Sequence, residues 1–297
     1  MGAFLILGAG GRLGAALARE WQGRDQTVLA MNRSALPLDK PDEVERSLKG
    51  IEFDVLVNCA ALTNVDYCES HREEAFRINA ESVRAMAQVC AQKGARLVHI
   101  STDYVFDGNA TTPYSEADAP NPASVYGESK LAGEVAALAA SQRNWVARVS
   151  WVFGPDRISF VDQVIARALK EDRVEAVADK WATPTYTLDV CSDLWHLIHG
   201  GDGGGVVHMS NAGVCSWQEY GQHALDCAVE AGCTLRTRTV GGLKMSELKA
   251  FVAKRPPYSA MATDKFTSLT GIRPRDWREA VRQHVFERVS CGAVSRV

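Results

Sequence analysis

Near the start of the chain, residues 4–14 read Phe4-Leu5-Ile6-Leu7-Gly8-Ala9-Gly10-Gly11-Arg12-Leu13-Gly14. Four apolar residues run straight into glycines at positions 8, 11 and 14. The residues beyond them, Leu13, Ala16, Leu17 and Glu20, recur at helical spacing. A buried strand, a glycine turn and a helix are expected. Such a turn needs positive φ and lets backbone approach a pyrophosphate closely, while the helix N-terminus offers unpaired N–H groups. Gly8, Gly11, Arg12, Leu13 and Gly14 are therefore the expected phosphate-binding turn of a dinucleotide site. Arg12 either adds charge to the phosphates or stands in solvent at a helix start.

Four more short apolar runs follow, at 27–31, 55–61, 97–101 and 145–149, with helical stretches between them such as Val83, Met86, Ala87 and Cys90. Continuous apolar runs suit parallel strands buried on both faces, and the alternation predicts an α/β, doubly wound parallel (Rossmann) sheet. The acid that reads a ribose 2′-hydroxyl belongs about 20 residues past the glycines, at the end of the second strand. Here that place holds Asn32-Arg33-Ser34. An arginine there suits a 2′-phosphate, hence NADP(H), with NAD(H) as the second cofactor to consider; the alternative is that Arg33 faces water.

After residue 150 the pattern changes. Phe160, Val161, Val164, Ile165, Ala168 and Leu169 make one helical stripe, residues 200–205 are a glycine-rich break, 206–209 suits a strand, and Ser216 with Glu219 forms a capping box. The expected division is a NADP(H)-binding domain over 1–151, completed by part of 185–200, and a mainly substrate-binding α/β domain over 152–297.

Composition narrows the class. The chain has 297 residues, a formal charge of 33 − 36 = −3 and 46% apolar residues, which excludes a disordered chain, a collagen-like repeat and a small disulfide scaffold. The near-neutral balance gives no footprint for nucleic acid or an anionic membrane surface. No apolar run is long enough for a membrane helix, and the N-terminus lacks the basic region of a signal peptide. The eight cysteines form no CxxC pair, so reduced thiols in a cytoplasm are expected.

Tyr126 and Lys130 form a YxxxK pair, one helical turn apart on the same face. A tyrosine is a reluctant acid near neutral pH, and a neighbouring ammonium stabilises its phenolate. The pair gains meaning from Ser101-Thr102-Asp103, at the C-terminal end of the fourth expected strand, where open α/β sheets hold ligands. Thr102 offers a hydroxyl to a substrate carbonyl beside Tyr126.

On these residues the chain resembles the extended short-chain dehydrogenase/reductases and, more narrowly, the dTDP-4-dehydrorhamnose reductase family. The resemblance is carried by GAGGRLG (8–14), NCAALTNVDYCE (58–69), IN (78–79), STDYVFDG (101–108), PYSEADAPNPASVYGESKLAGE (113–134) and RVSWVFG (148–154). TPT (183–185), GVVHMSNAGVCSWQEY (205–220), KRPPYSAMATDKF (254–266) and Trp277 extend it along nearly the whole chain. The resemblance implies Thr102, Tyr126 and Lys130 as catalytic residues, with Tyr126 and Lys130 also at the cofactor. It implies Ala60, Ala61 and Asn79 near the cofactor, joining Asn32 and Arg33. On the substrate side it implies Thr102, Tyr104, Trp151 and Arg255, the indole as a floor for a sugar ring and the guanidinium as a partner for a nucleotide diphosphate.

Two departures stand out. Arg12 replaces the family's usual Gln, and Asp179-Lys180-Trp181-Ala182 replaces D-Q-x-G before TPT. Some family members form metal-bridged dimers through glutamates; those carboxylates do not map onto this chain, so no metal is expected, and a homodimer is the oligomer considered. The implied activity is NADPH-dependent reduction of a 4-keto nucleotide sugar. Two rivals are a non-catalytic cofactor-binding subunit, like that of methionine adenosyltransferase, and a nucleotide-sugar epimerase or dehydratase that regenerates a tightly held cofactor.

Overall fold

The computed structural model describes residues 2–24, 26–201, 203–248 and 251–292. Five strands build the first part of a parallel sheet: β1 (Phe4–Leu7), β2 (Val28–Met31), β3 (Val55–Asn58), β4 (Arg96–Thr102) and β5 (Trp145–Val149). A sixth strand, Gly205–His208, pairs in parallel with β5 and completes the order Gly205–His208, β5, β4, β3, β1, β2. Strand order reverses at β1: the chain goes outward to β2, then returns to β3 on the other side. In a doubly wound sheet the crevice at such a reversal is the ligand site.

Side-chain alternation explains the layers. Phe4 and Ile6 pack with Leu17, Trp21 and Leu194 on one face, and Leu5 and Leu7 pack with Leu48, Leu56 and Met86 on the other. Helix α1 (Arg12–Gln22) and the helix Thr187–His199 cover the first face together. The strand β2 departs from the expected burial on both faces: Leu29 and Ala30 are exposed, because β2 is the edge of the sheet. The run expected to continue to residue 61 stops at Asn58, whose side-chain oxygen accepts the Ala60 N–H and turns the chain.

A separate apolar cluster forms from the C-terminal half, joining Val161, Val164 and Ile165 of the helix Phe160–Ala168 to Tyr220, Ala224, Trp277 and Val281. The Ser216 capping box is present, with Ser216 Oγ accepting from the Glu219 N–H (3.1 Å) and Glu219 Oε2 accepting from the Ser216 N–H (2.7 Å). Within the glycine-rich break, residue 202 lies outside the described residues. Among the described residues no helix is long and apolar enough to cross a membrane.

Candidate active site

The C-terminal ends of β1–β5 open into one cavity of about 1020 Å³, which runs from the glycine turn to Trp151. Its first end is built by backbone. Gly8 has φ +79, and a Cβ there would lie 2.7 Å from the Ala60 nitrogen, so the turn after β1 rests on the strand end of β3. A Cβ on Gly14 would lie 2.3 Å from the Gly8 carbonyl oxygen. Glycine is required at both positions, and together they leave a cradle that a pyrophosphate fits.

Of the expected cofactor residues, Gly8, Gly11, Arg12, Leu13, Asn32, Arg33, Ala60, Ala61, Tyr126 and Lys130 line this cavity; Gly14 and Asn79 do not. Gly14 sits behind the turn. Asn79 falls in a π-turn, Arg77–Glu81, between two α-helical stretches. Its side chain accepts the Leu62 N–H (2.8 Å) and donates to the Leu62 carbonyl and to Ser129 Oγ (both 3.0 Å). Asn79 thus fastens the 60–62 loop to the helix that carries Tyr126. Arg12 donates to the Ile158 carbonyl (2.6 Å), a role neither reading of its sequence position foresaw. Leu38, Asp39 and Thr63 also line the cavity and carried no signal in the sequence.

At the other end stand Thr102, Tyr104, Tyr126, Lys130 and Trp151. The helix Val125–Ala140 presents Tyr126 and Lys130 to the end of β4, capped by Ser124, whose hydroxyl accepts from the Gly127 N–H. Tyr126 and Thr102 stand on the same cavity wall, and burial holds the Tyr126 pKa above the ordinary 10, with the Thr102 hydroxyl working against that shift. The phenol is therefore kept protonated. Thr102 itself donates to Asp103 Oδ1 (3.1 Å) and accepts the Tyr104 N–H (3.2 Å).

Lys130 is fully buried. Its ammonium donates to the Ile100 carbonyl (2.7 Å) and lies 3.2 Å from His99 Nε2. Among the described residues no hydrogen bond joins it to Tyr126, so the direct ammonium–phenol contact suggested by the spacing is replaced by anchoring on β4. Burial lowers its pKa from 10.5 to about 8, with Glu134 and Cys59 opposing. Burial also drives the Cys59 thiol up to about 12, so Cys59 is a neutral lining group.

Trp151 has φ +42, an unusual value for a residue with a Cβ. Its ring packs 5.5 Å from Trp217 and 6.0 Å from Tyr220. Arg255 does not line the cavity. Its guanidinium pairs with Asp66 Oδ2 (2.6 Å) and stacks over Phe251 (4.5 Å).

Sequence reading missed the support behind Thr102. Asp103, 2% exposed, accepts from Ser259 Oγ (2.6 Å), and the buried Lys180 donates to the Pro256 carbonyl (2.6 Å). The replacement of Gln by Lys180, and the 101–108 and 254–266 segments that carry Asp103 and Ser259, were visible in the sequence, but not that they meet.

A model of the RmlD substrate binding domain matches residues 2–290. The chain is 37% identical to a dTDP-4-dehydrorhamnose reductase of Mycolicibacterium smegmatis, over 95% of this chain and 84% of that protein. It is 34% identical to the spore coat polysaccharide biosynthesis protein SpsK of Bacillus subtilis, over 96% and 98%. A crystal structure of dTDP-4-dehydrorhamnose reductase from Bacillus anthracis in complex with NADP is similar at a TM-score of 0.88 and 30% identity, covering 96% of this chain and 99% of that one.

Proposed function

The chain belongs to the RmlD substrate-binding-domain family, and from that premise we propose that it is an NADPH-dependent oxidoreductase reducing a 4-keto nucleotide sugar, dTDP-4-dehydrorhamnose to dTDP-rhamnose. The observation that carries this reading is a single cavity with a dinucleotide turn at one end and Thr102, Tyr126 and Lys130 at the other. When bound, NADP(H) supplies the hydride. Tyr126, protonated in its buried setting, gives its proton to the sugar's C4 oxygen as that oxygen gains charge. Thr102, braced by Asp103, orients the phenol and faces the same oxygen. Lys130, anchored on the Ile100 carbonyl, holds a positive charge beside the expected nicotinamide ribose. Trp151 offers its ring to the sugar, and Tyr104 packs edge-on against Tyr126 at 5.6 Å. Since Arg255 is already paired with Asp66, the diphosphate contact suggested for it requires that pair to be shared or exchanged.

The same reading divides the chain into a cofactor half over 1–151, to which 185–200 adds a helix, and a mainly substrate-binding half over 152–297. It also places the enzyme in the cytoplasm, in keeping with free cysteines throughout the described residues, and treats it as a homodimer.

Absorbance at 340 nm tests the reaction. With dTDP-4-dehydrorhamnose, NADPH is expected to be consumed in step with product, unlike an epimerase or a regulatory subunit. Tyr126→Phe keeps its NADPH affinity and loses about 10²–10⁴-fold in kcat. A variant with near-wild-type kcat removes Tyr126 from the proton transfer.

A further inference from the structure

Residues 154–159 leave β5 for the second core and pass directly over the glycine turn. Arg157 Nε donates to the Gly10 carbonyl (2.9 Å), Arg12 reaches the Ile158 carbonyl, and Arg19 pairs with Asp156. A Cβ on Gly10 would stand 3.8 Å from the Asn32 Cβ and 4.0 Å from Arg157 Nη2. The far end of Arg157 is therefore on the side of the turn that faces the end of β2, where an adenosine ribose is read.

The Asn32 side-chain oxygen is already taken, which leaves only its amide N–H groups to face that ribose. That oxygen accepts from the Ser34 N–H (3.1 Å), the Ala35 N–H (3.2 Å) and Ser34 Oγ (2.6 Å), closing its own turn. Arg33, on the cavity wall, and Arg157, just outside its lining, are both exposed, and among the described residues neither pairs with a carboxylate, although Asp39 lines the same end of the cavity. Arg157 has its Nε committed to Gly10, which holds the guanidinium in place and leaves its terminal nitrogens to donate.

We propose that Arg157 is a second specificity-determining residue for the cofactor, closing with Arg33 on the 2′-phosphate of the adenosine ribose. A phosphate monoester carries close to two negative charges at neutral pH, and planar guanidinium forks match its oxygens. The clamp is built from both halves of the chain, Arg33 after β2 and Arg157 after β5. It rests on the NADP(H) reading above.

Binding measurements separate the two. Calorimetry on the full-length protein compares 2′,5′-ADP with 5′-AMP, and NADPH with NADH. Arg157→Ala is expected to weaken 2′,5′-ADP and NADPH by about 10-fold or more, and to leave 5′-AMP and NADH within about 2-fold. Equal weakening of all four ligands would overturn the proposal and make Arg157 a brace for the turn. No change in any would make it a rim residue. If the wild type binds 2′,5′-ADP no better than 5′-AMP, the NADP(H) reading fails as well. If Arg33→Ala loses the 2′-phosphate preference and Arg157→Ala keeps it, only the clamp fails.

Discussion

Trp151 occupies left-handed backbone space at φ +42, where a Cβ crowds the chain at a cost of about 1–2 kcal/mol. Glycine would sit there without that cost. The retention of an indole is explained by its place on the cavity wall, against Trp217 and Tyr220. Two substitutions separate strain from use. Trp151→Ala and Trp151→Gly should both raise the KM for the sugar, the lost ring face costing about 1–3 kcal/mol, while NADPH affinity stays near wild type. Trp151→Gly should unfold later in urea than Trp151→Ala, by about 1 kcal/mol. If alanine is the more stable of the two, backbone strain is not what the position stores. The resemblance implied a place for this tryptophan at the site, and it does line the cavity; its backbone conformation had no signal in the sequence. Arg255 shows the same gap. The sequence offers an arginine beside prolines, and only the tertiary fold brings Asp66 within 2.6 Å of it.

Among the elements, the parallel strands and the turn after β1 were legible, because apolar runs and glycines report backbone demands locally. The π-turn at Asn79 and the buried pair beneath the helix Val125–Ala140 were not, since both depend on partners far away in sequence. Glu134, on the helix Val125–Ala140, binds Arg148 of β5 through two hydrogen bonds of 2.9 and 2.7 Å and accepts from Ser101 Oγ of β4 at 2.5 Å. Both charged side chains are no more than 3% exposed. Removing one partner strands the other charge in the core. Arg148→Met should therefore cost about 3–5 kcal/mol in urea unfolding. Glu134→Leu combined with Arg148→Met should recover much of that loss, since no buried charge remains. A double variant as unstable as the single one would mean that the geometry of the pair, rather than its charge, holds the helix to the sheet.

Across the whole molecule, buried titratable groups set a pH dependence in which stability and activity part company. His99 and His208 have pKa values pushed down by burial, His208 to about 3. The unfolded chain binds protons at these histidines below about pH 6.5 while the folded chain does not, so stability falls on acidification through that range. Lys130 and Lys180 are both lowered from 10.5 to about 8, mainly by burial. Between pH 8 and 10.5 the unfolded chain holds more protons at these lysines than the folded one. Each lysine therefore adds up to about 1.4 kcal/mol of stability per pH unit as pH rises. Six buried or partly buried thiols act in the other direction. Cys59, Cys68, Cys90, Cys191, Cys215 and Cys227 are all raised above the ordinary 9.0, so above that pH the unfolded chain sheds protons that the folded chain keeps. The opposing slopes cross near pH ~9. Asp193, pushed up to about 7 mainly by burial, opposes the histidines below pH 7, so melting temperature should climb from pH 7 to a maximum at about pH 8–9 and then decline. On the proposed mechanism, turnover should already fall above pH ~8 as Lys130 loses its charge. Lys130→Met should flatten the alkaline rise in melting temperature by about half, because Lys180 still titrates. A melting temperature that peaks below pH 7, or a rise that Lys130→Met leaves intact, would show that Lys130 is not a charge held in the core against its own solvation.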